Sequence, residues 1–247
     1  MTAASFTADQ IVVVALAIFF SAMITAVAGF GFGLMSVPLT SLVLDIHSAV
    51  IVTSIVAVFA NAVQVRLYRR DRDRPLANRL ALASIAGLPV GYAIFEFVGD
   101  TALRMALGVG VVLAVALLSR GMSLAHLGPA LDWWMGFASG VLNTSISTSG
   151  PPLVFDLQAR KLAPDAFRST INYVFLVSGS IGLLMYTIGG KIHTAELQAG
   201  AIAIPALALG LTAGMPLRRR FSPEQFRSLV IVLLIAGAIA AVGKAFV

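Results

Sequence analysis

The 247-residue chain has no cysteine, three histidines and little charge: Asp, Glu, Lys and Arg together make up 11% of it. Without cysteine there is no disulfide, no thiolate metal site and no cysteine nucleophile. His47, His126 and His193 fall in expected loops, far apart along the sequence. No His/Asp/Glu cluster has metal-ligand spacing, and HExxH, Walker A and GxSxG motifs are missing. No enzyme, metal or cofactor is therefore expected. The scarcity of charge excludes a soluble domain, where about 25% of residues are charged. A disordered chain, a coiled coil and a secreted disulfide scaffold are excluded too. The opening M-T-A-A-S-F-T-A-D-Q has no basic stretch, so no cleaved signal peptide is expected.

Apolar residues are abundant instead, at 59%. Apolar stretches lie near 10–44, 48–65, 76–95, 101–119, 131–158, 169–189, 197–217 and 228–247. Runs near 20 residues can cross about 30 Å of hydrocarbon as helices. The chain reads as an all-α integral membrane protein, multi-pass in the inner (plasma) membrane, with the lipid bilayer as its first partner. The net charge of +6 is explained by Lys and Arg collecting in cytoplasmic loops, so no nucleic acid is expected.

The first and fifth stretches are interrupted. Stretch 10–44 carries G-F-G-F-G at Gly29 to Gly33, then Pro38; stretch 131–158 carries N-T-S-I-S-T-S-G-P-P from Asn143 to Pro152. Glycine is entropically costly in a helix, and proline removes a donor and clashes with the preceding turn. Both stretches are expected to be broken helices. The two halves also match: Gly87-x3-Gly91 and Gly210-x3-Gly214 stand 123 residues apart, and the same offset pairs Ala83 with Ala206, Leu88 with Leu211 and Arg104 with Arg227. Small residues at that spacing let helices approach closely, which is the preferred reading of these pairs.

Charge decides between topologies. If all eight stretches crossed, basic residues would divide almost evenly between the two sides, and the Arg218–Arg220 run would be translocated. If the broken stretches are re-entrant hairpins, the loop 66–79, Arg120, residues 160–168 and residues 218–227 all fall inside. Only Arg104, Lys191 and Lys244 are then outside. The positive-inside rule selects the second arrangement. The expected fold is two inverted repeats, each a broken re-entrant helical hairpin plus three transmembrane helices, the plan of secondary transporters. Residues 1–120 form the first repeat (hairpin 10–44, helices 48–65, 76–95 and 101–119). Residues 121–247 form the second (hairpin 131–158, helices 169–189, 197–217 and 228–247). Both termini are expected to be extracytoplasmic.

In each hairpin a serine followed by proline (Ser36 and Pro38; Ser149, Gly150, Pro151) marks the start of the returning half-helix. The two half-helices should begin near mid-depth, one from each leaflet. Their free N–H groups and positive dipole ends would then face a common point, an anion site made of backbone. Gly29, Gly31 and Gly33 let a ligand approach the main chain, and their replacement by valine at Gly31 or Gly33 is expected to abolish flux. Ser145, Ser147, Thr148 and Ser149 add hydroxyls, and Asn143, Asn61 and Asn172 add amides. Arg168 opens the sixth stretch on the cytoplasmic side; a positive-inside residue at the headgroups is the preferred reading, with attraction of anions to the entrance as the alternative. Asp156 is the best-placed acid for proton coupling, but a loop or cap role is the preferred reading.

G-F-G-F-G-x3-V-P at Gly29 to Pro38 and the second break ending S-G-P-P at Ser149 to Pro152 resemble the signatures of the TauE/SafE sulfite-exporter family, also called toluene sulfonate uptake permeases. The resemblance covers nearly the whole chain. It implies export of a small sulfur-containing or related organic anion such as sulfite, thiosulfate or an organosulfonate. It places Gly29, Gly31, Gly33, Pro38, Gly150 and Pro151 in the site. The chain departs from the family pattern at Phe30 and Phe32, between glycines, and at Ser147, Thr148 and Ser149, where glycines are expected. Beside a transporter of a small anion, an anion channel and a non-catalytic assembly subunit of a membrane complex fit the same sequence. A homo-oligomer is compatible with all three.

Overall fold

A computed structural model describes residues 6–120, 128–160 and 162–217, leaving aside the side chains of 111–120 and 159. The stretch 228–247, the arginines at 218–227, His126 and Lys161 lie outside the described residues. Nine helices and no strand occur among the described residues: α1 (Ala8–Ala28), α2 (Phe32–Thr40), α3 (Ile46–Tyr68), α4 (Arg74–Phe97), α5 (Asp100–Arg120), α6 (Gly128–Ile146), α7 (Gly150–Ala159), α8 (Pro164–Ile188) and α9 (Thr194–Leu217). Five of them, α1, α3, α4, α8 and α9, are long and apolar enough to cross a membrane. Large apolar side chains such as Phe59, Leu82, Trp134 and Leu209 point outward, as a lipid-facing surface requires. The chain is a multi-pass membrane protein.

Local chemistry sets the helix ends. Thr7 and Gln10 form a reciprocal capping box at the start of α1. Asp45 and Asp73 accept from the Ser48 and Leu76 amides to start α3 and α4, so Asp45 has a capping role. Both expected breaks are present. α1 stops at Gly29, which is left-handed at φ +86°, and α6 stops before Ser147, a left-handed serine at φ +51°.

Two helix pairs form the packing frame, and glycine makes both. α1 lies along α9, where Gly210 and Gly214 face Phe19, Ala22, Met23 and Ala26. α6 lies along α4, where Gly87 and Gly91 face Phe137, Val141 and Thr144. A side chain at any of the four glycines would run into backbone carbonyls of the partner helix. The Gly-x3-Gly pairs are thus close-packing surfaces, as the sequence suggests. α3 and α8 pack on each other between these two pairs.

Both broken segments return to the face they came from. Gln10 at the start of α1 donates to the Val43 carbonyl beyond α2, at 2.9 Å. Asp132 near the start of α6 bonds Arg160 at the end of α7. On that second face Arg79 meets Asp132 at 3.1 Å, the Asp73 amide bonds Thr170, and Arg72 stacks 4.2 Å from the Tyr173 ring. The loop 69–73 and Arg160, which eight full crossings would separate, therefore share one face.

The outgoing arms differ from expectation. α1 has 21 residues, about 31 Å of helix, and α2 only nine, about 13 Å. The returning arm is therefore much the shorter of the two. The Thr25 carbonyl near the end of α1 accepts from Gln64, one turn from the basic end of α3. The start of α2 also differs. Its cap is Gly31, left-handed at φ +95°, while Ser36 and Pro38 lie inside the helix. The chain becomes helical as soon as the glycine has turned it, four residues before the serine.

Candidate functional site

The starts of α2 and α7 line one cavity. From the first break come Phe30, Gly31, Phe32, Gly33 and Leu34; from the second come Asn143, Ser147, Ser149 and Gly150. α1 adds Thr25; α3 adds Ser54, Ala57 and Asn61; α8 adds Phe175 and Gly179. The tips touch: a Cβ at Gly33 would land on the Ser147 carbonyl. None of these lining residues is charged.

The two tips contribute different donors. In α2 the first helical bond runs from Met35 N–H to the Gly31 carbonyl at 3.1 Å. The amides of Phe32, Gly33 and Leu34 ahead of it have no partner within the helix. No side chain caps this end. In α7, Ser149 is the cap, but Pro151 and Pro152 carry no N–H, so hydroxyls and Asn143 must supply most of the donors there. Ser147 accepts from Ser54 Oγ at 3.1 Å, which leaves its own hydroxyl proton to donate. Asn143 Nδ2 donates to Ser178 at 3.3 Å. Phe30, Phe32 and Phe175 give the cavity an apolar wall.

Of the residues expected from sequence, Gly31, Gly33, Asn61, Asn143, Ser147, Ser149 and Gly150 line the cavity. The others are not among the lining residues. Ser36 bonds Thr53 at 2.9 Å and joins α2 to α3. Ser145 and Thr148 bond carbonyls of their own segment, those of Val141 and Ile146. Pro38 and Pro151 are buried within their helices. Asn172 donates to the Gly29 carbonyl at 2.7 Å, so that pair holds the first break from behind. Arg168 joins it by donating to the Val27 carbonyl at 3.1 Å. A guanidinium there covers the negative C-terminal end of α1, which would otherwise oppose an anion in the cavity. Arg168 also pairs with Asp165 at 3.1 Å in the first turn of α8. Thr25, Phe175 and Gly179 carried no sequence signal.

Asp156 is buried against Arg160 (3.6 Å), which also bonds the fully buried Asp132. This network ties α7 to α6 and α4. Two histidines separated in sequence also converge: His47 and His193 line a second hollow with Asp45, Glu96 and Glu196. His47 is in the first turn of α3 instead of a loop. No group that could hold a metal ion occurs among the described residues.

The pattern of the sulfite exporter TauE/SafE family matches residues 14–241. The chain belongs to the TauE/SafE family. A probable sulfite/organosulfonate exporter TauE from Cupriavidus necator is 24% identical over 216 residues, covering 85% of this chain and 84% of that protein. A probable inner membrane transporter protein TsaS from Comamonas testosteroni is 30% identical over 115 residues, 44% of this chain and 48% of that protein. No solved structure matches. As a TauE/SafE protein the chain is a membrane transporter, and both breaks fall within the matched residues.

Proposed function

We propose that this chain exports a small sulfur-containing anion, such as sulfite, thiosulfate or an organosulfonate, across the inner membrane by alternating access. The observation that carries this reading is the convergence of two half-helix N-termini on one uncharged, donor-bearing cavity. A phosphate-sized oxyanion suits helix N-termini because the free amides and the dipole both favour negative charge. With no cation in the wall, the site ranks these substrates: an organosulfonate or hydrogen sulfite, singly charged, is favoured over the thiosulfate dianion, which would bury a second uncompensated charge. The phenylalanines suit the organic part of a sulfonate. The name of the Cupriavidus necator relative points to the same substrate class.

The topology belongs to the same reading. The face holding Arg66, Arg69, Arg70, Arg72, Arg74 and Arg79 is the cytoplasmic one, and α1 starts on the opposite face. The two halves are inverted repeats. In support, α1 packs on α9 as α6 packs on α4, an exchange that a two-fold relation between the halves requires. A carrier is favoured over a channel by the apolar plug beyond the cavity. Ile51, Ile55, Phe95, Ile146 and Tyr186 form one buried cluster there, and Ile51 and Phe95 also line the second hollow.

The test is flux of sulfite and a short-chain sulfonate in proteoliposomes. Saturable flux accelerated by anion on the far side is expected. Flux that never saturates and shows no counter-transport would mean a channel. No flux with a co-purifying partner would mean an assembly subunit.

A further inference from the structure

The second hollow lies on the face opposite the arginines, above the apolar plug. His47 sits in it with both ring nitrogens engaged. Nδ1 is 3.1 Å from the Asp100 carboxylate, and Nε2 is 3.0 Å from the Phe95 carbonyl. Both partners are acceptors. A neutral imidazole has one N–H, so it can satisfy one of them and must point a lone pair at the other. Only the imidazolium donates to both. Phe95 is in the last turn of α4, where a cation also meets the negative end of the helix.

Charged groups gather around this ring. Asp45 caps the same helix, Asp100 begins α5, and Glu196 of α9 accepts from Ser48 at 2.8 Å. Glu96 at the end of α4 is matched by Lys191 at 2.6 Å, and His193 lies 3.6 Å from Glu196. Arg104, one turn past Asp100 on α5, donates to the Ser41 carbonyl at 3.3 Å, so four carboxylates share this end of the protein with one arginine, one lysine and two histidines. The His47 side chain is 32% exposed, so protons reach it from solvent.

The position matters because His47 holds a plug residue. The Phe95 ring packs against His47 with centroids 4.7 Å apart and against Tyr186 at 4.9 Å. Tyr186 in turn donates to the Thr144 carbonyl, three residues before the second break.

We propose that His47 is a proton-binding site on the extracytoplasmic side whose occupancy holds the outer plug shut, making the proton a gating ligand that sets when the outer side opens. The proton comes from the outer solution, bridges α3 to α4 and α5 through Phe95 and Asp100, and returns to that solution when the plug opens. This rests on the carrier reading and its topology.

The test uses the lack of cysteine. Ile55→Cys, within the plug, is labelled from outside by a membrane-impermeant maleimide at pH 5.5 and 8.5, on either side of the histidine range. Each rate is divided by that of Ala8→Cys, an exposed site on the same face, so the reagent's own pH dependence cancels. The ratio is expected to rise on the order of tenfold from acid to alkaline pH. Adding His47→Gln should make it high at both, while adding His193→Gln should leave the rise intact. If His47→Gln does not fold, Asp100→Asn, at an exposed position, should shrink the rise. A flat ratio in the parent, a rise that survives His47→Gln, or one abolished by His193→Gln overturns the proposal. Labelling needs no anion. A pH response without flux would sink the transport reading alone, and flux without a pH response would sink the proton site alone.

Discussion

Gly33→Ala probes the point where the two hairpin tips touch. The added Cβ would fall on the Ser147 carbonyl oxygen and 3.0 Å from its carbon. Both neighbours are backbone, so α2 must move away from the second break. Overpacking of this kind costs about 1–3 kcal/mol. Alanine returns about 1 kcal/mol through its better helix propensity, so the fold should lose no more than about 2 kcal/mol. Binding should lose more. A hydrogen bond to a charged group is worth about 1.5–3 kcal/mol, so displacing one amide from the oxyanion weakens affinity about 10- to 150-fold. Gly31→Ala is the contrast: nothing lies within 4 Å of its Cβ, and its penalty is the left-handed backbone alone, about 1–2 kcal/mol. The assay is concentration-dependent sulfite flux in proteoliposomes, with thermal unfolding of the purified variants as the fold control. A folded Gly33→Ala protein with unchanged KM and rate would refute the reasoning, because the tips would then not have to meet.

Three further outcomes separate site from scaffold. Ser147→Gly should leave the melting temperature nearly unchanged, since relief of the left-handed serine, about 1 kcal/mol, is offset by loss of the Ser54 hydrogen bond, about 1 kcal/mol, yet weaken sulfite affinity at least about tenfold by removing a hydroxyl donor. Gly214→Val should do the reverse. Its side chain would meet the Met23 carbonyl and Ala26 Cβ and push α1 from α9, lowering thermal stability by about 1–3 kcal/mol with the KM of the folded fraction unchanged. Asp132→Asn should leave Arg79 and Arg160 without their shared buried carboxylate and destabilise the protein by about 3 kcal/mol, at the low end for a broken buried pair because both arginines are partly exposed. Thermal unfolding in detergent reads that loss.

The breaks were legible because they depend on residue types with local backbone consequences. Gly29 and Gly31 adopt left-handed conformations, and Ser149-Gly150-Pro151 starts α7 where its prolines allow. The paired glycines of α4 and α9 were legible for a similar reason, since their spacing is a packing signal. The unequal arms of the first broken segment were not. A hairpin read only from its broken residues looks symmetric, and the length of α1 against α2 shows that it is not. Which polar residues face the cavity also stayed hidden. Ser54 lines it while Thr53, its neighbour, bonds Ser36, and one step in sequence turns a side chain about 100° around a helix. Asn172 has the chemistry of a ligand but supports the Gly29 carbonyl from behind. The meeting of His47 with His193 depends on α3 and α9 starting on the same face, which no local pattern encodes.

The most direct measurement is where the anion rests. Selenite, the heavier analogue of sulfite, gives an anomalous X-ray signal at the selenium position. Crystals of the protein soaked in it should show one peak between the two tips, within hydrogen-bonding distance of the Phe32 and Gly33 amides and of the Ser147 or Ser149 hydroxyl. A peak confined to the arginine-rich face, with the cavity between the tips empty at saturating selenite, would contradict the account.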